Sequence, residues 1–312
     1  MGKRQSSLRN VFVGGLLCMV CPAAQAAETG LSTYGLGGTA FGAGMTPPPG
    51  TYVTTAVAYY SGNIEGNVTI GRQAVDIGLK VNFLSVGLNG LYVPETKILG
   101  GQFGVSVTVP VGFVDIDARA SIGPLTGQRS ADGPGLGDIV PKLQLGWQHG
   151  SFAHTIYVQG VAPTGRYEPR FAANIGLNRP SIDTGWAFTW TDTSRKLQIN
   201  GSLGVSFNFE NDETNYKSGD EFHFEWAIGH KFAPGVILGI VGYDYRQLTG
   251  DSGSGALLGS FKGSVDAVGL GLSYTTLVGG TPFILNARHY QEYGGERHFE
   301  GSMSIATATV RF

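Results

Sequence analysis

The sequence predicts an all-β fold: a transmembrane antiparallel β-barrel of about twelve strands, with a short N-terminal segment that plugs the lumen or trails as a tail. Three observations predict it. Of 312 residues, 50 are Gly and only 14% are charged, against about 7% and about 25% in ordinary soluble domains. Apolar and polar residues alternate with period two over long stretches, which gives a strand one face of each kind. Short and long connections also alternate along the chain, as in barrels with short periplasmic turns and longer outer loops. The mean hydropathy is +0.03. Outside one N-terminal stretch, no apolar run approaches the roughly 20 residues of a spanning helix.

Residues 1–26 read as a cleaved secretory signal. Lys3, Arg4 and Arg9 precede the apolar run Val11–Val20, and Ala24-Gln25-Ala26 is an A-x-A cleavage site. Ten apolar residues are too few to anchor a helix across a bilayer. Cleavage removes Cys18 and Cys21, the only two cysteines, and leaves 286 residues with a net charge of −5. Disulfide, thiol and Cys-ligated metal chemistry leave with them. The only adjacent basic pairs are Lys3-Arg4 and Arg195-Lys196, so no basic patch exists for nucleic acid.

Residues 27–50 hold six Gly before Pro47-Pro48-Pro49-Gly50 and show no strand pattern; they form the plug or tail. The barrel occupies 51–312. Its strands are expected at 51–61, 75–93, 101–121, 136–148, 151–164, 180–191, 195–209, 219–232, 236–248, 260–277, 282–292 and 299–312. In order, Tyr59-Tyr60 end the first with aromatics suited to the headgroup level. Phe103, Val105, Val107, Val109, Val111 and Phe113 oppose Gly104, Ser106, Thr108 and Gly112. Ile139, Leu143, Leu145 and Trp147 oppose Val140, Lys142 and Gln144, and Trp186 with Trp190 marks another aromatic end. Leu197, Ile199, Leu203, Val205, Phe207 and Phe209 face away from Gln198, Asn200, Ser202, Ser206 and Asn208. Phe222, Phe224, Trp226 and Ile228 oppose His223, Glu225, Ala227 and Lys231; Tyr243 and Tyr245 close the next strand as girdle aromatics. The last strand alternates through Ala306, Ala308 and Val310 to Phe312, resembling the terminal aromatic that the outer-membrane assembly machinery reads. Short turns fall at 94–100, 149–150, 192–194, 233–235 and 278–281. Long loops fall at 62–74, 122–135, 165–179, 210–218, 249–259 and 293–298. An even strand count puts both ends of the barrel on the periplasmic side of a Gram-negative outer membrane.

If the apolar face meets lipid, the polar face fixes the lumen. The candidates there and at its outer vestibule are Asp138, Lys142, Asp183, Glu210, Asp220, His223, Glu225, Asp244, Arg246, Arg288 and Glu292, with Lys231 and Arg311 on the same faces. Unpaired charge in a narrow lumen is costly, so these groups are expected to pair as a network; Asp220 and Glu225 could pair with Arg246 or Arg179 across the mouth. Balanced signs suit a neutral solute better than an ion.

No catalytic, cofactor or metal residue is assigned. Gly250-Asp251-Ser252-Gly253-Ser254-Gly255 looks like a nucleophile loop but has no His or carboxylate context, and reads as turn material. His223-x-Glu225 is too small a set for a metal site. A hydrolase working on lipid would need a Ser–His pair on the outer wall. His154, His230 and His289 fall on that face, but no Ser lies in register along the same strand, leaving only a cross-strand partner open. The chain is therefore read as no enzyme.

Several runs carry a resemblance. They are Thr164-Gly165-x-Tyr167, Asn174-Ile175-Gly176-x-Asn178-Arg179 and Ala187-x-Thr189-Trp190. Phe207-Asn208-x-Glu210-Asn211 continues through Thr214-Asn215-Tyr216 to His223-x-Glu225, and Gly242-Tyr243-x-Tyr245 runs on to Gly253. With Pro47-Pro48-Pro49-Gly50 and Gly137-Asp138-x-x-Pro141-Lys142, the chain resembles the family called MetA-pathway of phenol degradation, described as outer-membrane transporters. The resemblance implies a barrel that passes small hydrophobic or aromatic compounds, with the lipid bilayer as its other partner, and supplies no catalytic residues. The alternatives are a structural or surface-recognition barrel and, behind it, a lipid hydrolase.

Overall fold

The computed structural model describes residues 32–70, 73–123, 125–169, 171, 173–256 and 259–312; the expected signal and cleavage site lie outside them. Among the described residues every regular element is a strand: β1 (Gly50–Ile70), β2 (Gln73–Val93), β3 (Lys97–Ile98), β4 (Gly101–Ile122), β5 (Leu125–Leu136), β6 (Val140–His149), β7 (Phe152–Val161), β8 (Ser181–Asp192), β9 (Leu197–Asn208), β10 (Glu221–Ala233), β11 (Val236–Gln247), β12 (Ser264–Val278), β13 (Thr281–Glu296) and β14 (Glu300–Arg311). All pairings are antiparallel between neighbours, and β14 returns to β1 from Tyr52↔Arg311 to Asn63↔Glu300, closing the sheet. β5 and β6 both lie on β4, and β3 is a two-residue extension, so the closed wall is twelve strands around. Closure leaves no open edge around the twelve-strand wall and satisfies its backbone within the sheet, while β5 pairs with β4 alone. Gly150 (φ 57°) and Gly235 (φ 75°) take left-handed backbone in the tight turns after β6 and β10.

Side-chain burial is inverted, with apolar residues outside and polar residues inside. Leu84, Val86, Leu88 and Tyr92 of β2, Val105, Val107, Val111 and Phe113 of β4, and Leu238 and Ile240 of β11 are exposed. Asp183, Asn200, Ser202, Ser206, His223 and Glu225 are buried. From Leu84 to Tyr92 the apolar row covers about 26 Å of strand, which a tilt of about 40° turns into roughly 20 Å of height. Trp147, His154, Phe152, Phe188 and Trp186 stack in series on the outer face, with centroids 5.1–6.2 Å apart.

Above the band the alternation changes phase. In β2 the apolar residues are outward at Leu84, Val86 and Leu88, but inward at Phe83, Val81, Leu79 and Ile77. β4 does the same between Phe113 and Val114, and these rows are paired across the sheet (Leu84↔Phe113, Phe83↔Val114). Outward residues beyond the change are Ser61, Asn82 and Asp115, then Asn63, Lys80 and Asp117. The change marks where the outside of the wall leaves lipid for water, so that the ordinary apolar-in rule returns.

Three expected loops are strand. Residues 62–70 extend β1 and 73–74 begin β2, 125–136 form β5 against β4, and β13 runs on to Glu296. The phase change also corrects the faces of two assigned groups. In β11, Val241, Tyr243 and Tyr245 are buried inward, so Asp244 and Arg246 lie on the outward face above the apolar band and are not lumen residues. Tyr243 and Tyr245 are accordingly not girdle aromatics; Tyr60, bonded to Glu292, also faces in.

Candidate functional site

The interior is built from short polar side chains on β7–β10 and from glycines that leave room for longer ones. Asp183 accepts hydrogen bonds from Ser206 Oγ (2.6 Å) and pairs with His223 Nε2 (2.8 Å), all three buried. Lys142, half-buried, sets its Nζ 4.2 Å from the centre of the Tyr157 ring. Glu292 accepts from Tyr243 (2.6 Å) and Tyr60 (2.7 Å). Arg288 donates to the Gly38 carbonyl at 2.9 Å.

That last bond belongs to a ladder between residues 32–49 and the inward face. Ser32 bonds Glu221, Tyr34 stacks on His223, and the Thr39 N–H donates to Glu225 Oε2 (2.6 Å). Gly42 N–H donates to Asn200 (2.9 Å), Gly44 N–H to Thr189 (3.0 Å), and Thr46 meets Thr155 (3.1 Å). Leu36, Ala40 and Phe41 pack with Ala227, Val241, Tyr290 and Ile305. At the foot, Tyr52 Oη donates to the Pro48 carbonyl and Arg311 Nη2 to the Pro49 carbonyl, each at 2.7 Å.

The outer mouth is apolar. Val81, Val114, Ile116 and Phe299 are buried in one cluster with Tyr60, Ile64, Phe171, Ala173 and Ile175. The connection after β7 folds across β4 and β5, where Gly135 and Gly137 leave a groove: a Cβ on either would stand 3.0 or 3.4 Å from Ile175. Asp138 clamps both ends of this connection, its Oδ1 accepting from Gly165 N–H and its Oδ2 from Leu177 N–H, both at 2.8 Å. His298 is buried beside Tyr245 and donates from Nδ1 to the Phe299 carbonyl (2.7 Å). Burial holds its pKa below the ordinary histidine value, against a smaller opposing effect of that bond.

Asp138, Lys142, Asp183, His223, Glu225, Arg288 and Glu292 therefore face the interior or its mouth. Glu210 is exposed on a loop. Asp220 accepts from Asn208 N–H (3.3 Å) and its own N–H donates to Thr249. Arg179 pairs with Glu221 at 3.6 Å, both buried, and not with Asp220 or Glu225. Arg246 grips Asp266 through two oxygens (2.9 and 3.0 Å) and Asp244 at 2.9 Å, on the outside. Glu221, missed in the sequence, sits where a loop was giving way to strand, so no alternation flagged it. The Gly250–Gly255 run is a clasp: Asp251 accepts from Tyr216 Oη (2.5 Å), Gln247 (2.6 Å) and Gly219 N–H (3.1 Å), and Ser252 forms a bridge with Lys217. On the outer wall His289 Nδ1 lies 2.9 Å from the cross-strand Ser304 Oγ. Among the described residues, no carboxylate is bonded to that imidazole.

The profile of a family described as MetA-pathway of phenol degradation matches residues 65–306. No curated protein matches the chain. Among solved structures, an outer membrane channel from Pseudomonas putida F1 superposes with a TM-score of 0.67 at 16% identity, over 86% of this chain and 98% of its own. The translocator domain of the autotransporter NalP from Neisseria meningitidis gives 0.45 at 13% identity, over 99% and 98%. The β domain of the Bordetella autotransporter BrkA gives 0.46 at 10%, over 84% and 100%. At 16% identity, the first shares the fold of this chain.

Proposed function

This chain belongs to the MetA-pathway of phenol degradation family, and from that premise we propose that it is an outer-membrane channel for small hydrophobic or aromatic compounds. The apolar mouth carries the reading. A pore for ions or sugars gains from a wetted entrance, whereas the half-buried Phe171 and Ile175, packed on the buried Val81, Val114, Ile116 and Phe299, offer an entering solute the transfer free energy of apolar contact. The band of exposed apolar residues on the outside supports residence in a bilayer. The name of the Pseudomonas putida neighbour agrees with a channel.

In this reading residues 27–50 are a plug, supported by the ladder from Ser32 to Thr46. The buried charges are the paired network that holds the plug and shapes the path. Residues 1–26 export the chain and are cleaved after Ala26, and Phe312 addresses the assembly machinery. The reading assigns no catalytic step.

The test is solute swelling of proteoliposomes, together with bilayer conductance, using phenol, alkanes and sugars. Phenol should enter faster than a sugar of similar size. Permeation of none of these solutes refutes the channel.

A further inference from the structure

One row across the inner wall reads Tyr157, Gly185, Gly204, His223, each residue directly paired with the next on β7, β8, β9 and β10. The two glycines cut a recess. A Cβ on Gly185 would stand 2.5 Å from Tyr157 Oη, and one on Gly204 would stand 2.7 Å from His223 Cε1 and Nε2 and 2.8 Å from Tyr157 Oη. Two ring side chains thus converge from opposite sides over bare backbone.

The imidazole of His223 is held in one orientation by Asp183, which Ser206 holds in turn. Its exposed face is covered by the ring of Tyr34, with centroids 3.5 Å apart and planes 13° from parallel. Every part of the recess comes from the barrel strands except that ring, which arrives on the segment before β1.

Tyr34 fills the stacking face and leaves polar capacity unused. Among the described residues, His223 Nδ1 is buried without a hydrogen-bond partner. Buried groups of this kind are ordinarily satisfied. The Tyr34 ring, tied to backbone with its hydroxyl directed at Glu225, cannot also turn that hydroxyl to His223 Nδ1, whereas a free ring can stack and choose its in-plane orientation. Glu221 is paired with Arg179, and Lys142 lies against Tyr157, so Asp183 and Glu225 leave the recess with more negative than positive charge, which disfavours an anion.

We propose that the recess formed by Gly185, Gly204, His223 and Asp183 binds a neutral hydroxylated aromatic solute, and that Tyr34 is a tethered stand-in for that solute. This rests on the channel reading for its purpose, since the site then lies on the permeation path, but its chemistry can be measured separately.

The experiment is calorimetric titration of phenol, toluene and benzoate into the full-length protein in detergent micelles, for wild type, Tyr34→Ala, Tyr34→Phe and Tyr34→Ala/His223→Ala. Heat-modifiable migration on gels verifies that each variant is folded. Tyr34→Ala should bind phenol at least tenfold more tightly than wild type. It should prefer phenol to toluene and to benzoate by a similar factor, and lose the gain when His223 is also removed. Tyr34→Phe keeps the stacked ring and should behave as wild type, so it serves if the alanine variant fails to fold: wild-type and Phe forms must then both bind phenol weakly, and a His223→Ala form must bind it no better. No gain in Tyr34→Ala, equal affinity for toluene or benzoate, or a gain that survives loss of His223 overturns the proposal. Swelling of wild-type proteoliposomes by phenol without such competition refutes the recess and leaves the channel. Binding without swelling does the reverse.

Discussion

Replacing Asp138 should release the connection between β7 and β8 while leaving the wall intact. Its carboxylate accepts two backbone N–H groups, from Gly165 and Leu177, at 2.8 Å each. A hydrogen bond to a charged group contributes about 1.5–3 kcal/mol. Both amides sit on half-exposed residues, so water takes over part of the loss, and the lower figure applies to each. Asp138→Ala should then cost this segment about 3 kcal/mol, or about a hundredfold in local opening. Asp138→Asn keeps one carbonyl acceptor, turns its NH2 toward the second N–H, and should fall between. Hydrogen exchange of the full chain in phospholipid vesicles reads this directly. Peptides from 162–180 should lose protection about a hundredfold, and those from 181–192 in β8 should not change. Unchanged protection of Gly165 and Leu177 would refute the clamp.

Val86→Arg places a charge in the middle of the outward apolar row of β2, and should lower unfolding free energy in vesicles by about 2–4 kcal/mol; a change below 0.5 kcal/mol would put Val86 outside the bilayer. Because His298 is neutral in the fold, with its pKa below the ordinary value, the unfolded segment binds a proton that the folded one refuses. Its contribution is therefore complete above about pH 6.5 and is lost as pH falls below that value. Exchange at 297–299, corrected for intrinsic rates, should quicken on acidification in wild type and not in His298→Gln. Asp251→Ala removes the two hydrogen bonds, from Tyr216 and Gly219, that join the connections after β9 and β11, and a third from Gln247 of β11 itself; trypsin should cut at Lys217 at least tenfold faster, and equal rates would show that the clasp does not restrain that loop.

The wall was legible because period-two alternation in β9 and β10 is forced by lipid on one side and a polar interior on the other. The same rule misleads at β11, where apolar-out applied to Val241, Tyr243 and Tyr245 above the bilayer turns Asp244 and Arg246 inward, although the outward phase of Leu238 and Ile240 runs unbroken to both. Two tyrosines inside the barrel were read as a girdle for the same reason. The extension of β1 past Gly62 and the strand β5 read as loops in the sequence because residues such as Asn63, Glu65, Gln128, Ser130 and Asp132 fill a face that meets water. In the strands, the phase change at Phe83-Leu84 and at Phe113-Val114 was present in the sequence and is the signal that could have located the boundary. The clamp by Asp138 and the recess at Gly204 depend on cross-chain register, which one sequence does not encode in any local pattern.

The Pro48 and Pro49 carbonyls tie the foot of the N-terminal segment to Tyr52 and Arg311. Tyr34 lies fifteen residues above that knot, so a ring that leaves its recess stays within reach of it. Held as well by Thr39 and Gly38 on the wall, so short a tether keeps its end at an effective concentration on the order of millimolar or above. Any diffusing ring competes against that figure by mass action. Occupancy of the recess is then a comparison between the amount of solute outside and a concentration written into the covalent chain, so that trace solute leaves Tyr34 in place and accumulated solute displaces it.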